Sequence, residues 1–505
     1  ERLRKMAAAE TPLFDDIVLT SLERSPSGGL RPTLVFAASG TTASSSQQTA
    51  AVLEFTWADA DDDSILSSAA DAFTFTLTQD DGVRCFGFCR RLAQPAKPPV
   101  CLCVLSRRPW FSLCARVLDF LKPHVDAHAT LVPELMAAAR AAALPPPGGL
   151  IQLPTAVGVL RLQVPQEAAD VAAGCCPAEL LSALGVGNAL RVLGALMSEQ
   201  RVVFIGDKWG RVSACAHAAL SMLYPLRWQH ICIPVLPTSK LSYASAPMPF
   251  VLGVLSRHLP LLEKEPLEGI LFADLESGRL WGDADVMAAA TLPKPHVEPF
   301  ASALKKVMRK AKESGGPVDD FAVGEAALRF MASLLGHYRQ HVRGDDAAPP
   351  AVGRGRSDSG VAVAELHPLF DEAAFVRAAP PAAQPFLAGL RAAQLFEVFI
   401  NEHLEMSEGD RDASPFERLL SSAEWEMEMQ GWAGGAPAFG RATSLKEVWE
   451  SRGELRDRTA AALVTARERA ATAAETARER ATSAAATAKV KTASARERAS
   501  VVADR

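Results

Sequence analysis

The sequence lacks the features by which several large classes of protein are recognised. It contains no uncharged apolar run of about eighteen residues, the length that a membrane-spanning helix needs. It contains no GxxxxGK(S/T) or GxGxxG loop, so it matches neither of the common nucleotide-binding loops. Its formal net charge of −5 over 505 residues is too small for a chain built to coat nucleic acid. We therefore expect a soluble or peripheral protein with no cofactor and no nucleic-acid partner.

Cysteine pairs of the zinc-binding kind are also missing. The chain has 9 cysteines, an odd number, and most of them lie inside apolar runs. Between Cys85 and Cys103 the spacing lacks the paired CxxC knuckles of a structural zinc site. We therefore expect reduced, buried thiols, as in intracellular proteins, and no metal site.

The middle of the chain contains a strand-helix-strand pattern. Apolar residues recur at helical spacing over 181–197, and the short β-branched run Arg201–Ile205 is typical of a strand buried on both faces. A helix begins at about Arg211 and stops before Pro225, because proline disfavours helical geometry in the preceding residue. A second strand follows within 228–234. Such a unit predicts two parallel strands in one sheet, with the helix packed on a face.

The N-terminal part of the chain is dominated by short β-rich runs, which predict an antiparallel sheet followed by helices. Residues 73–78 alternate apolar and polar side chains, and Asp80–Gly82 supplies turn chemistry, so a hairpin with 83–89 is expected. Helices are predicted at 110–121 and 132–143. The predicted strands are residues 14–19, 31–36, 51–57, 73–78, 83–89 and 100–105.

Both regions resemble the DENN domain family. In the central region the resemblance is carried by LYPLRWQHICIPVLP at 223–237 and APMPFVLGV at 246–254. In the upstream region it is carried by FTLTQDDGVRCFGFCRR at 75–91 and PVCLCVLSRRPWFSLCARVLDF at 99–120. Residues 384–401 resemble the end of the family's downstream module, although Gln394 stands where that module has Thr or Ser.

The resemblance implies an α/β fold of several modules. An N-terminal longin-like α/β module precedes a central DENN α/β module with a parallel crossover, and a helical downstream module and a long Ala-rich C-terminal helix follow. The implied division is an N-terminal tail at 1–12, the upstream module at 13–125, a helix and Pro/Gly linker at 126–150, the central module at 151–285, a helical extension at 286–343, a flexible linker at 344–361, the downstream module at 362–420, a linker at 421–454 and a repeat tail at 455–505.

The repeat tail has its own composition. TAxxx units begin at Thr465, Thr476 and Thr487, a period of eleven that keeps charged patches nearly in line on a helix. The tail carries +5 while the rest of the chain carries −10. It is a candidate for binding an anionic membrane surface or other proteins, but its apolar face is mostly alanine, and a solvated helix or partly disordered tail is the favoured alternative.

DENN proteins are guanine-nucleotide exchange factors for Rab GTPases, so the resemblance implies a cytoplasmic regulator of membrane trafficking and endocytosis, peripheral on trafficking membranes, with no catalytic residues of its own. The partner would be a Rab-type small GTPase, whose GDP release is promoted by differential binding. Two alternatives stay open. The first is a DENN-type scaffold without exchange activity. The second is a GTPase-activating protein that supplies an arginine finger, for which the candidates are Arg84, Arg90, Arg91, Arg107 and Arg108.

Two sets of residues follow from the family's motifs and from expected exposure. The expected GTPase-binding residues are Arg107, Arg108, Trp110, Lys208, Trp209, Ser239 and Tyr243. The expected structural core of the DENN motif is Phe204, Tyr224, Pro225, Trp228, His230, Pro234, Pro249 and Phe250. His230 lies between apolar strand residues with no nucleophile placed beside it by motif, which favours a structural over a catalytic role.

Overall fold

The structure is a computed structural model, and its described residues form two sheets with helices packed on them. It describes residues 12–26, 28–39, 46–61, 70–78, 83–94, 97–165, 174–342 and 369–422, together with Ile65 and Trp425. The predicted turn Asp80–Gly82, the linker at 344–361, nearly all of the linker at 421–454 and the repeat tail at 455–505 lie outside these residues. The chain divides into two compact units, residues 1–437 and 438–505, and the second lies wholly outside the described residues.

The first sheet is antiparallel throughout. Its strands are β1 (Asp16–Arg24), β2 (Leu30–Ala37), β3 (Ala72–Thr78), β4 (Arg84–Gln94) and β5 (Lys97–Ser106). In space they follow the order β2-β1-β5-β4-β3. Strands β3 and β4 pair antiparallel, with Phe73 opposite Cys89, so the predicted hairpin is confirmed.

The predicted strand at 51–57 is wrong, because the chain there forms a helix, α1 (Ser46–Thr56). The β-rich run at 51–57 predicts a strand. Val52 and Phe55, which lie on one side of a helix, are both buried against the sheet instead. The need to cover the second face of the sheet overrides the local pattern.

The first face of this sheet is covered by α2 (Phe111–Leu121), α3 (His128–Ala141) and a small hairpin of β6 (Leu150–Thr155) and β7 (Gly158–Gln163). In α2, Leu113, Val117 and Leu121 are buried at four-residue spacing, as in an amphipathic helix. These side chains meet inward-facing residues of β1, β4 and β5 in one apolar core.

The second sheet is mostly parallel. Its strands are β8 (Arg201–Gly206), β9 (Ile231–Ile233), β10 (Phe250–Leu255), β11 (Ile270–Asp274) and β12 (Leu280–Trp281). The order in space is β12-β11-β8-β10-β9, and β12 alone among these five runs antiparallel to its neighbour. The predicted crossover is confirmed, since β8 and β9 run parallel in one sheet, but β10 lies between them.

Helices pack on both faces of the second sheet. One face bears α4 (Pro177–Met197), α5 (Trp209–Ser221), α7 (Ala284–Ala289), α8 (Lys294–Ser314) and α9 (Asp320–Leu335). The other face bears the short helix α6 (Leu259–Leu262). Among the described helices, α4 is the one that is long and apolar enough to cross a membrane by length and composition alone. Most of it is buried against other elements, as in a core helix.

The downstream module is helical, as the sequence predicts. It consists of α10 (Glu372–Ala378), α11 (Gln384–Leu390), α12 (Gln394–Leu404), α13 (Glu408–Ala413) and α14 (Pro415–Leu420). Phe375, Phe396 and Phe399 are buried in the same apolar cluster as Phe330 of α9, so the module shares the core of the second sheet's helices. The carboxylate of Glu417 is also buried. It accepts hydrogen bonds from the Tyr338 hydroxyl, at 2.7 Å, and from the Arg339 guanidinium.

Gly253, in the middle of β10, tests the packing of the second sheet. A methyl group there would collide with the carbonyl oxygen of Pro234 and with Val212, and the backbone atom cannot move aside. We expect Gly253→Ala to lower the free energy of unfolding by about 2 kcal/mol in urea titrations. The control is Gly389→Ala, at an exposed helical position with open space around it, where alanine should be neutral or stabilising by up to about 1 kcal/mol. Equal effects of the two substitutions would contradict the packing described.

Candidate functional site

The two sheets share an apolar core. The second face of the first sheet packs against α1 and against three residues of the second sheet's module, Trp209, Val235 and Leu255. All three are almost completely buried. The upstream and central modules therefore meet through a common core, and the surface around it is formed by both.

A buried carboxylate crosses this junction. Asp59, which follows α1, accepts a hydrogen bond from Arg91 of β4 at 2.7 Å and another from Arg257, just after β10, at 2.6 Å. Its side chain is only 4% exposed. Burial works to raise the pKa of Asp59, but the two guanidinium groups outweigh it, so the pKa is lowered and the group is charged at neutral pH.

Hydrogen bonds between side chains and the backbone also join the modules along β3 and β4. Arg84 donates to the carbonyl oxygens of Trp228, at 2.6 Å, and His230, at 3.1 Å. At the opposite end of β3, Asp71 accepts from the N–H of Gly210 at 3.2 Å. These contacts fix the position of β3 relative to α5 and to the start of β9.

His217 of α5 is buried at the junction and is neutral. Its ring lies 5.0 Å from the ring of Phe111 and 5.9 Å from that of Phe86, measured between centroids. Burial lowers the pKa of His217 to about 4 because the charged imidazolium would lose its hydration. The residue packs as a core side chain.

The first group of expected GTPase-binding residues follows β5. Arg107 is exposed, and its side chain donates to Asp15 at 3.0 Å. The guanidinium of Arg108 lies 4.9 Å from the ring centroid of Trp110, and both residues are half-buried. Burial lowers the pKa of Arg108. This group therefore presents one exposed cation and a stacked Arg–Trp pair.

The second group follows β8 and β9. Lys208 is exposed at the end of β8, whereas the side chain of Trp209 is 1% exposed, so the expectation that Trp209 faces solvent is wrong. The local turn sequence suggested exposure, but the indole fills the common core. Ser239 is exposed and donates to Glu54 of α1.

Tyr243 is 45% exposed and lies beside Lys240, a residue that the sequence motifs did not indicate. The ammonium group of Lys240 lies 5.8 Å from the Tyr243 ring centroid and 3.3 Å from the carboxylate of Glu54. Lys240 thus links Tyr243 to α1 of the upstream module. We name Lys208, Ser239, Lys240 and Tyr243 the strand-end surface, because the first two follow the carboxyl ends of β8 and β9.

The expected contact residues after β5 and those after β8 and β9 lie at opposite ends of β3. The β5 residue Ser106 pairs with Phe86 near the start of β4, and β4 in turn begins opposite Thr78 at the end of β3. Lys208 adjoins Gly210, which is bonded beside the start of β3. The structure therefore does not bring all the expected contact residues together.

The expected core of the DENN motif is largely buried. Phe204, Pro225, Trp228, Pro234 and Phe250 are buried, and Tyr224, His230 and Pro249 are half-buried. The half-buried Tyr224 places its hydroxyl 3.2 Å from the Ser414 hydroxyl of the downstream module.

The arginine-finger candidates are mostly committed to structural contacts. Arg91 is buried between Asp59 and the rings of Trp57 and Phe73. Arg84 is bonded to two carbonyl oxygens of the central module, and Arg90 pairs with Asp119 at 2.6 Å. Each of these three would have to break a described contact before it could reach into a partner.

Glu199 forms a connection between modules that sequence reasoning missed. It stands in the turn between α4 and β8 with a left-handed backbone (φ +49°). Its carboxylate accepts the N–H groups of Gln394, at 3.1 Å, and Leu395, at 2.9 Å, at the start of α12. The Nε2 atom of His230 lies 2.9 Å from the same carboxylate. Burial would raise the pKa of Glu199, but His230 and the two N–H groups outweigh it and the pKa is lowered.

No group of three or more His, Cys, Asp or Glu side chains suited to a metal ion occurs within the described ranges. The cysteines between Cys85 and Cys103 are buried in the sheet. Burial raises the pKa of Cys85 to about 12 and that of Cys232 to about 11, so both stay protonated thiols at neutral pH.

The two joined sheets and the helical module define a mixed α/β protein of several packed modules. Residues 97–278 match the DENN (AEX-3) domain, and residues 370–419 match the dDENN domain. The chain therefore contains a DENN domain followed by a dDENN domain, and the resemblance found in the sequence is confirmed.

Curated proteins show the same relationship. The chain is 32% identical over 320 residues to DENN domain-containing protein 2A of Mus musculus, covering 58% of this chain and 31% of that protein. It is 31% identical over 363 residues to DENN domain-containing protein 2B of Homo sapiens, covering 65% and 31%. It is 29% identical over 366 residues to DENN domain-containing protein 1A of Xenopus laevis, covering 72% and 33%. The chain thus spans about a third of the length of the relatives it matches.

The Glu199 contact predicts a pH-dependent stability term. A group whose pKa is lowered by folding stabilises the fold above its ordinary value, and this contribution is lost as the pH falls through the lowered value. We expect Glu199→Gln to cost about 1–2 kcal/mol of unfolding free energy near pH 7, and the cost to shrink below about pH 4.

The matched control is Glu402→Gln on α12, where the carboxylate pairs at 3.1 Å with a largely exposed Arg227. That change should cost less than about 0.5 kcal/mol. Urea titrations across the pH range measure both. A cost of Glu199→Gln that does not depend on pH would refute the assignment.

Proposed function

We propose that this chain is a guanine-nucleotide exchange factor for a Rab-type small GTPase and acts at the cytoplasmic surface of trafficking membranes. The observation that carries the proposal is the presence of DENN and dDENN domains, whose family members act generally on Rab GTPases. The chain itself would perform no covalent chemistry.

The joined modules supply a physical route to exchange. A partner can shift a GTPase away from its GDP-bound state only by binding another conformation more tightly. A surface held by a common core resists deformation, so its binding energy can be used to change the partner. The Asp59 contacts and the Arg84 contacts give this surface such support.

Of the two groups, the strand-end surface is the better supported. Ligands of sheets with parallel strands commonly bind beyond the carboxyl ends of the strands. Lys208 is exposed just after β8, and Tyr243, exposed in the segment after β9, is linked to the upstream module through Lys240 and Glu54. Tyrosine is a frequent anchor of protein interfaces, and an exposed cation such as Lys208 favours association with an acidic partner surface.

The test measures release of mant-GDP from a panel of Rab-type GTPases by the full chain. We expect faster release from at least one of them. Lys208→Glu combined with Tyr243→Ala should slow that release by about tenfold or more, because a reversed charge and a lost anchor both oppose the complex. The control is Lys122→Glu, at an exposed position after α2, which should stay within about twofold.

Each other outcome favours a different reading. Release unchanged for every GTPase would reject exchange activity. Faster GTP hydrolysis with unchanged GDP release would favour an activating protein, with Arg107 and Arg108 as the remaining finger candidates. Binding without either effect would favour a scaffold.

A further inference from the structure

Helix α8 carries a strongly basic face that the proposed function does not use. The helix contains six Lys and Arg side chains and two Glu, a net charge of +4 within a chain of net charge −5. The five cations of its C-terminal half are all exposed, namely Lys305, Lys306, Arg309, Lys310 and Lys312. An anionic partner would therefore be attracted to this helix although the chain as a whole is acidic.

The packing of α8 turns these cations to one side. Phe300, Leu304 and Ala311 are buried at four- and seven-residue spacing, and they face the apolar cluster formed with α4 and α9. The basic residues occupy the remaining helical positions. The exposed part of this face includes no aromatic side chain.

Helix stability does not explain the array. Cations favour the last turn of a helix through its dipole, yet Lys305, Lys306, Arg309 and Lys310 all precede the last turn of α8, which ends at Ser314. Like charges four residues apart, such as Lys306 and Lys310, destabilise a helix. Within the described part of the chain, Glu313 is the one carboxylate within ion-pair distance of these five cations, 3.6 Å from Arg309.

The chemistry of the face favours one class of partner. Four of the five cations are lysines, which act as point charges rather than as the planar forks that recognise a single phosphate or base. Single-stranded nucleic acid is usually bound on aromatic platforms, and this face has none. A cluster of four to eight basic residues on a helix is typical of attraction to anionic lipid headgroups. We propose that α8 docks the protein on an anionic membrane surface.

The fold leaves the strand-end surface open in this arrangement. Strand β8 directs Val202 and Phe204 to the side of the sheet that bears α4 and α8. It directs Val203 and Ile205 to the other side, where residues 238–245 pack through Leu241 and Ala244. Membrane binding through α8 would therefore not cover Tyr243, and both surfaces can be occupied at once.

The test measures sedimentation of the full chain with phosphatidylcholine vesicles that contain either none or about 30% phosphatidylserine. We expect binding to the anionic vesicles that weakens as salt is added. The triple variant Lys305→Gln, Lys306→Gln and Lys310→Gln should lower the partition coefficient by about tenfold or more, since each basic residue near the surface contributes to attraction. Circular dichroism checks that the helix is kept, because Lys and Gln have similar helix propensity.

Two controls separate this face from general charge and from the repeat tail. Lys97→Gln, Lys122→Gln and Lys264→Gln remove the same charge from scattered exposed positions and should leave binding within about twofold of wild type. Replacing Lys305, Lys306 and Lys310 with Arg should preserve binding. Every variant retains residues 455–505, so any difference comes from the substituted positions.

The proposal is overturned if the full chain ignores anionic vesicles at low salt, or if the α8 triple variant binds them as well as the scattered control does. Displacement from the vesicles by inorganic phosphate beyond its ionic-strength effect would also overturn it, by indicating a phosphate site instead of a lipid surface. A loss of vesicle binding with unchanged GDP release in solution separates this proposal from the proposed function.

Discussion

The buried carboxylate of Asp59, held between Arg91 and Arg257, is the contact on which the arrangement of the upstream and central modules most depends. Its two oxygens accept one hydrogen bond from each module, at 2.7 and 2.6 Å. A charge removed from water is tolerated only when it is paired and fully bonded, so loss of Asp59 would leave the buried guanidinium of Arg91 without its carboxylate. Asp59 and Arg91 are almost completely buried, whereas the side chain of Arg257 is 40% exposed.

A similar device connects the dDENN helices. Glu199 lies in the turn after α4. Its carboxylate accepts the first N–H groups of α12 and lies 2.9 Å from His230, just before β9. The helix dipole stabilises this charge at the N-terminus of α12, and the contact adds to the shared apolar core and to the Tyr224–Ser414 contact between the same two modules. Asp59 and Glu199 thus join three modules around the second sheet, and the surfaces proposed for the GTPase and for the membrane lie on opposite sides of that sheet.

Much of this architecture could be predicted from local patterns, and the failures have physical causes. The alternation in β3 and the buried run of β8 each carried enough signal to be found. The β-rich composition of 51–57 predicts a strand, yet Val52 and Phe55 also fit one side of a helix, and only the open face of the sheet decides between the two structures. Trp209 sits in a turn sequence that suggests exposure, although its indole fills the shared core. The partners of Glu199 lie 195 and 196 residues away, so no local pattern could reveal them.

The central claim is that the upstream and central modules form one cooperative unit through Asp59. Hydrogen exchange followed by mass spectrometry at rising urea concentration tests it most directly, with peptides from β1 and from β8 as reporters. The account predicts that both peptides lose protection at the same urea concentration in the wild-type chain, and that Asp59→Ala lowers that midpoint for both, at a cost of about 3 kcal/mol or more. Separate midpoints for β1 and β8 in the wild-type chain would contradict it.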